Sequence, residues 1–190
     1  RWDKRGLAGI RSIAQDLGFF AVGAGVGTIK AAALTTVTGG ATLPVSPLII
    51  TGSAFALHGA LRHALIETYM QSEAETFEGF WDIVLSETTA KVYGKDFALG
   101  AGVAVGGIVA GKVAGPIINK FGLATTIKDK AGKVLEKGTA FGDWLLGTSK
   151  VSGEIAALAT VPSIINVLAT DEQYVPPRKE DFIDAAVVIF

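Results

Sequence analysis

A chain of 190 residues is long enough for one ordinary domain with its own core, or for two small ones. With 49% hydrophobic residues, 18% charged residues, 24 glycines and a mean hydropathy of +0.45, it is too apolar and too glycine-rich for an average soluble domain. The net charge of -1 disfavours general nucleic-acid binding, and the lack of cysteine excludes disulfides, thiolate nucleophiles and cysteine-ligated zinc.

The first 61 residues predict an apolar helical hairpin. Residues 31–61 form the longest run without aspartate, glutamate, lysine or arginine, but the stretch GGATLPVSP interrupts it. Gly39, Gly40, Pro44 and Pro47 each break or bend a helix, so the run divides into two short helices around a turn. A hairpin of this kind is re-entrant or interfacial rather than a single clean membrane span.

Residues 62–96 predict two amphipathic surface helices, because large apolar side chains recur there at three- and four-residue spacings. Residues 97–172 predict a glycine-rich apolar helix followed by a further helical region. The apolar helix, residues 97–119, would be about 34 Å long at 1.5 Å per residue, which is enough to cross a bilayer core. Only this helix and the uncharged run of the hairpin are expected to be long enough to cross.

The segment TTIKDKAGKVLEKGTAFGDWLLG, inside the third region, is compatible with two structures. Asp129 to Gly132 could turn a small β-hairpin. Val134, Leu135 and Phe141 fit a helix equally well, and we favour the helix.

The last region, residues 173–190, predicts a linker and the start of a new helix. Pro176 and Pro177 end the preceding structure and suit the first turn of the next helix. Since the sequence shows neither a parallel-sheet pattern nor a repeat of fixed period, we expect an all-α fold. The chain begins at Arg1 rather than Met and ends inside the apolar run AAVVIF, so we also expect it to be a segment of a longer protein.

The stretch GVAVGGIVAGKVAG, residues 102–115, comes close to a nucleotide-binding motif. From Gly106 to Lys112 it fits G-x-x-x-x-G-K, but a P-loop then needs Ser or Thr for magnesium, and Val113 stands there. His58 and His63 lie on different sides of a helix without an evident third ligand, which disfavours a metal site. We therefore expect no enzymatic activity, no cofactor and no small-molecule substrate.

Close packing between helices explains the glycines better. Glycines four residues apart lie on one face of a helix, where the missing side chains let another helix approach, above all in lipid. In water an internal glycine costs about 1 kcal/mol relative to alanine, which leaves their density unexplained without such packing. A loose soluble segment or a tight core helix is the alternative. The pattern comprises Gly23, Gly27, Gly102, Gly106, Gly107, Gly111 and Gly115.

The C-terminal stretch YVPPRKEDFIDAAVVIF resembles a junction in very large phage proteins, where a proline-containing linker leads into E-D-F-I-D-A-A and an apolar helix. The family is that of the large polyvalent or internal virion (ejection) proteins of tailed bacteriophages. The resemblance implies a non-enzymatic protein that leaves the particle at infection and helps to build a conduit for the genome across the host envelope. It is carried by Pro176, Pro177, Glu180, Asp181, Phe182, Ile183, Asp184, Ala185 and Ala186.

Together with the glycine faces, the resemblance implies a homo-oligomer that also contacts other virion ejection proteins and host membrane lipid. DNA would be present only as passing cargo. The location would be the virion and then the host cell envelope, in the membrane or the periplasm. Two alternatives remain, a pore-forming or translocation domain of a bacterial toxin and a soluble structural helical domain of a large assembly.

Overall fold

The computed structural model describes residues 2–70, 77–129, 132–170 and 173–189, which form an all-α fold, as predicted from the sequence. Within these ranges the only strands are β1 (Ile127–Lys128) and β2 (Val134–Glu136), which pair antiparallel. A short 3-10 helix occupies Leu43–Val45. The six α-helices are α1 (Trp2–Val37), α2 (Ser46–Met70), α3 (Phe77–Val84), α4 (Glu87–Lys120), α5 (Ala140–Thr170) and α6 (Lys179–Ile189).

The chain divides into two compact units, Arg1–Ala101 and Gly102–Phe190. In the first unit α2 packs against α1 and α3, and in the second α5 packs against α6. The boundary expected between residues 96 and 97 falls inside α4. Residues 71–76, in the second predicted region, and the boundary expected after residue 172 lie outside the described residues.

The turn between α1 and α2 lies at the glycines and prolines expected to form it. Gly39 and Gly40 have φ values of +59° and +94°, Pro44 lies in the 3-10 helix, and Pro47 lies in the first turn of α2. The prediction of two short helices was wrong, since α1 has 36 residues and α2 has 25. The two prolines of this region, Pro44 and Pro47, lie at the turn and the start of α2, so neither interrupts the helix that runs away from the turn.

The segment between α4 and α5 forms a β-hairpin, and the helix favoured for it was wrong. Gly132 has a φ of +83°, a conformation that helices do not contain. The backbone N–H of Lys133 donates to Oδ1 of Asp129 at 2.8 Å, and the N–H of Asp129 donates to the carbonyl of Lys133 at 2.9 Å. An Asp side chain that bonds to the nearby backbone stabilises a turn at the expense of a helix.

Helices α4 and α6 both begin with a side-chain cap. Oγ of Ser86 accepts a hydrogen bond from the backbone N–H of Thr89 at 3.2 Å, which satisfies an otherwise unpaired donor in the first turn of α4. The carboxylate of Asp181 accepts from the N–H of Arg178 at 2.6 Å, just before α6. The sequence after the two prolines therefore starts a helix with its acidic residues at the favourable end.

We expect Gly40→Ala to destabilise the first unit by about 1–2 kcal/mol, because a Cβ is strained at positive φ. Gly94→Ala is the matched control, since Gly94 is helical and a Cβ there meets no atom within 4 Å. Far-UV circular dichroism during thermal unfolding measures both changes. Equal midpoints for Gly40→Ala and the unsubstituted chain would show that the turn tolerates a side chain.

Candidate helix-packing and membrane-facing site

In the first unit α1 and α2 meet backbone to backbone at two of the predicted glycines. A Cβ on Gly23 would lie 2.7 Å from Cα of Ala54 and 2.8 Å from its carbonyl oxygen. A Cβ on Gly27 would lie 2.8 Å from Cα of Ile50. Because the obstructing atoms belong to a helix backbone, they cannot move aside as the end of a flexible side chain can. Glycine is therefore required at both positions for α1 and α2 to come this close.

The opposite side of α2 holds further close contacts that the sequence interpretation missed. A Cβ on Gly100 of α4 would lie 2.6 Å from the carbonyl oxygen of Thr51, and one on Gly52 would lie 2.9 Å from the ring of Phe97. Gly59 lies against the side chain of Asp96. These glycines were overlooked because only glycines four residues apart were counted. When alanine is counted together with glycine, small residues do recur every four positions in α2, at Gly52, Ala56, Ala60 and Ala64.

In the second unit α4 and α5 touch at a reciprocal pair of glycines. A Cβ on Gly106 would meet the carbonyl oxygen of Gly153, and a Cβ on Gly153 would meet the carbonyl oxygen of Gly106. The methyl groups of Ala157 and Ala110 lie on either side of this contact, 2.6 and 2.5 Å from the added atoms. Helix backbones this close favour weak Cα–H···O contacts and a large dispersion energy per residue. Gly153 is a further contact residue, after Gly52, Gly59 and Gly100, that the glycine spacing did not identify.

The other predicted glycines of α4 face side chains of α5 rather than its backbone. The residue numbers of the partners fall along α5 as those of the glycines rise along α4, so the two helices are antiparallel. Two of the partners are charged, and their side chains lie across the glycine face at 2.6 Å and 2.7 Å from the added Cβ. Gly115 has more room, with its nearest atom at 4.0 Å. The pairs are Gly102 with Val161, Gly107 with Glu154, Gly111 with Lys150 and Gly115 with Leu146.

In a water-soluble domain large apolar side chains are mostly buried, whereas here most of the buried apolar residues are small and many large ones are exposed. Ten hydrophobic residues are buried in the described part of the chain, and eight of these are alanine. Large apolar side chains instead face outwards, and on α4 they form a stripe with a spacing of four residues. We call this the α4 apolar stripe: Val105, Val109, Val113, Ile117 and, just beyond the helix, Phe121.

Four helical segments are long and apolar enough to cross a membrane: Leu17–Val37, Leu43–Glu67, Glu87–Lys120 and Ala140–Thr170. The expectation that only two stretches reach this length was wrong. It was based on uncharged runs, whereas α5 continues as one helix through Lys150 and Glu154, and α1 supplies a segment of its own. A helix of this length accommodates one or two charged residues if they lie near its ends or face protein or water.

The residues that resemble a nucleotide-binding motif lie inside a continuous helix. Residues 102–115 belong to α4 throughout, and no phosphate-binding loop forms there. The ring of His58 stacks on that of Phe20, with centroids 4.4 Å apart. Within the described ranges, no three His, Asp or Glu residues are grouped as metal ligands.

Comparison of the chain with protein-family models, with curated proteins and with solved structures finds no match. The resemblance of its last residues to phage ejection proteins therefore stays a prediction. The helix contacts and the outward-facing apolar residues carry the functional inference.

We expect Gly23→Ala to destabilise the α1–α2 contact by about 1–3 kcal/mol, because the new methyl group overpacks against the backbone of Ala54. Gly25→Ala is the matched control two residues away, where a Cβ meets no atom within 4 Å. It should be neutral or should stabilise the helix by up to about 1 kcal/mol. Denaturant unfolding in detergent micelles compares the two. Equal effects of both variants would contradict the close contact.

For the second unit, Gly106→Ala and Gly153→Ala should each weaken the α4–α5 contact by about 1–3 kcal/mol. Combining them should cost less than the sum of the two, because the first substitution already separates the backbones. Gly147→Ala on α5, where a Cβ meets no atom within 4 Å, is the control. Midpoints of thermal unfolding for the four variants measure the coupling. Strictly additive losses would show that the two glycines do not share one contact.

Proposed function

We propose that this chain is a non-enzymatic segment of a phage ejection protein that self-associates and contacts or crosses the host cell envelope, as part of a conduit for the genome. The observation that carries the membrane part is the inverted distribution of apolar residues, with alanine and glycine between helices and larger residues outside. The phage assignment comes from the sequence resemblance at residues 176–186.

The inverted distribution favours lipid because of what drives helices together in each solvent. In water, burial of apolar surface is worth roughly 25 cal/mol per Å², so exposing the α4 apolar stripe forfeits stability. In a bilayer this driving force disappears, and helices associate through the close approach that small residues allow. The alanine and glycine contacts suit that second situation, with acyl chains covering the valines.

Charged residues inside the long helices α4 and α5 support a water-lined assembly. Lys112 is exposed on α4, Lys150 is exposed on α5, and Glu154 lies one turn beyond Lys150. A lysine at the bilayer centre costs about 3 kcal/mol on insertion scales, and such residues usually face a bundle interior or a water-filled cavity. Lys150 and Glu154 already lie against the glycine face of α4 within the chain. Lys112 is the side chain that several copies around a lumen would satisfy and a single copy in lipid would not.

Flotation with liposomes tests the membrane part of the proposal. We expect the purified chain to float with the vesicles, and Val109→Asp to reduce the floating fraction several-fold, because it puts a carboxylate into the α4 apolar stripe. Ser152→Asp is the matched control, since Ser152 is also exposed on a long helix but is polar already. A chain that stays wholly in the soluble fraction would instead be a structural domain of a soluble assembly.

Two further measurements separate an ejection protein from a toxin. Chemical cross-linking of the membrane-bound chain should yield a defined ladder of homo-oligomers, and vesicles should retain their dye when nanomolar protein is added from solution. Efficient dye release at that concentration would favour a toxin pore. The coding sequence on either side of the chain should specify a very long helical phage protein, whereas an adjoining receptor-binding domain would contradict the proposal.

A further inference from the structure

The connection between α4 and α5 is held in shape by side-chain hydrogen bonds rather than by an apolar core. We call it the α4–α5 tip and define it as residues 119–129 and 132–144, the parts of this connection that the structure describes. At its start Oδ1 of Asn119 accepts from the backbone N–H of Thr125 at 3.1 Å. At its end the carboxylate of Asp143 accepts from the N–H and the hydroxyl of Thr126, both at 2.6 Å.

Backbone contacts close the tip further. The N–H of Thr139 donates to the carbonyl of Ala124 at 2.9 Å, and the N–H of Gly138 donates to Oγ1 of Thr126 at 2.9 Å. Gly142, at the start of α5, lies directly against the carbonyl of Ala124. Both ends of the segment are therefore tied to its middle, which gives the β-hairpin a fixed platform.

This rigid polar platform carries large apolar side chains that face outwards. Phe121 is 78% exposed and Trp144 is 61% exposed, although tryptophan is highly buried on average in soluble domains. The rings of Phe141 and Trp144 stack with their centroids 5.7 Å apart and their planes 16° apart. Both strands of the hairpin are exposed along their length as well. The apolar surface thus belongs to a segment that folds without burying it.

The net charge of the tip is opposite in sign to that of residues 64–90, which we call the acidic connection. In the sequence, residues 119–144 contain five lysines and three acidic residues, whereas residues 64–90 contain six acidic residues and neither lysine nor arginine. Two tip carboxylates, Asp129 and Asp143, accept hydrogen bonds from its own backbone. The four lysines of the tip that the structure describes are exposed: Lys120, Lys128, Lys133 and Lys137.

We infer that the α4–α5 tip is an interfacial anchor that binds the anionic headgroup layer of a phospholipid membrane, an inference that rests on the proposed membrane contact and adds its site and lipid class. The tip joins two helices that are each long and apolar enough to cross a bilayer, so it lies where the chain would leave the acyl chains. Tryptophan concentrates at this level of a membrane, and lysine extends from it towards phosphate groups. The lysines match an anionic surface, which attracts basic residues next to a membrane-inserted helix.

Single-tryptophan chains test the location. One retains Trp144 and carries Trp2→Phe and Trp81→Phe, so the tip itself keeps its natural sequence. The control retains Trp81, exposed on α3 in the acidic connection, and carries Trp2→Phe and Trp144→Phe. With vesicles of phosphatidylcholine and phosphatidylglycerol, Trp144 emission should shift to the blue and be quenched by brominated acyl chains. The shift of Trp81 should be clearly smaller.

Paired lysine variants test the charge. Lys133→Gln with Lys137→Gln should weaken binding to the anionic vesicles at least tenfold and leave binding to pure phosphatidylcholine unchanged. The matched control is Lys91→Gln with Lys95→Gln, which removes two exposed lysines of the first unit and should change anionic binding less than twofold. Far-UV circular dichroism checks that all variants keep their helix content.

The outcomes separate this inference from the proposed function. If the chain floats while Trp144 remains in water, the tip is not the anchor and the membrane proposal stands. Equal affinity for neutral and anionic vesicles, or equal losses for the two lysine pairs, would likewise overturn the inference alone. A chain that binds neither kind of vesicle would overturn both.

Discussion

The approach of one helix backbone to another at glycine is the interaction on which this structure depends. At Gly23 and Gly27 a methyl group would collide with the backbone of α2. At Gly106 and Gly153 a methyl group on either residue would collide with the backbone carbonyl of the other. Close backbones gain dispersion energy over many atom pairs, although each pair contributes little. Helices that associate through such close contacts do not need a core of large apolar side chains. The buried apolar residues are accordingly mostly alanine.

The same constraint determines what the outside of each unit must be. When glycine and alanine occupy most of the close contacts, many valines, leucines and isoleucines of the same helices lie on the outer surface. In water such a surface would draw copies together without order, whereas in lipid it is the expected outer layer. Lys112, exposed on α4, then requires protein or water around it, which the proposed self-association would supply. Close packing follows directly from this distribution of side chains, and the proposed lipid contact and assembly are inferred from it.

The α4–α5 tip shows that polar chemistry organises the segments where close helix packing ends. Thr125, Thr126 and Asp143 shape the connection through hydrogen bonds, so its aromatic and basic residues are free to face outwards. A loop held by an apolar core would have to bury those residues. The separation of roles explains how one short connection presents a fixed apolar and cationic surface at the ends of two membrane-length helices.

The sequence by itself determined the all-α fold, the turn at Gly39, Gly40, Pro44 and Pro47, and the glycine faces of α1 and α4, because backbone preference and residue spacing are local properties. It did not reveal the lengths of α1, α2 and α5, since the ends of a helix depend on packing as well as on charge and breakers. The β-hairpin of the tip combines a local turn at Asp129 with hydrogen bonds between Thr126 and Asp143, which are 17 residues apart and which residue spacing does not predict. Only the tertiary structure could identify Gly153 as the partner of Gly106, because a close contact belongs to two helices and neither sequence segment contains it alone.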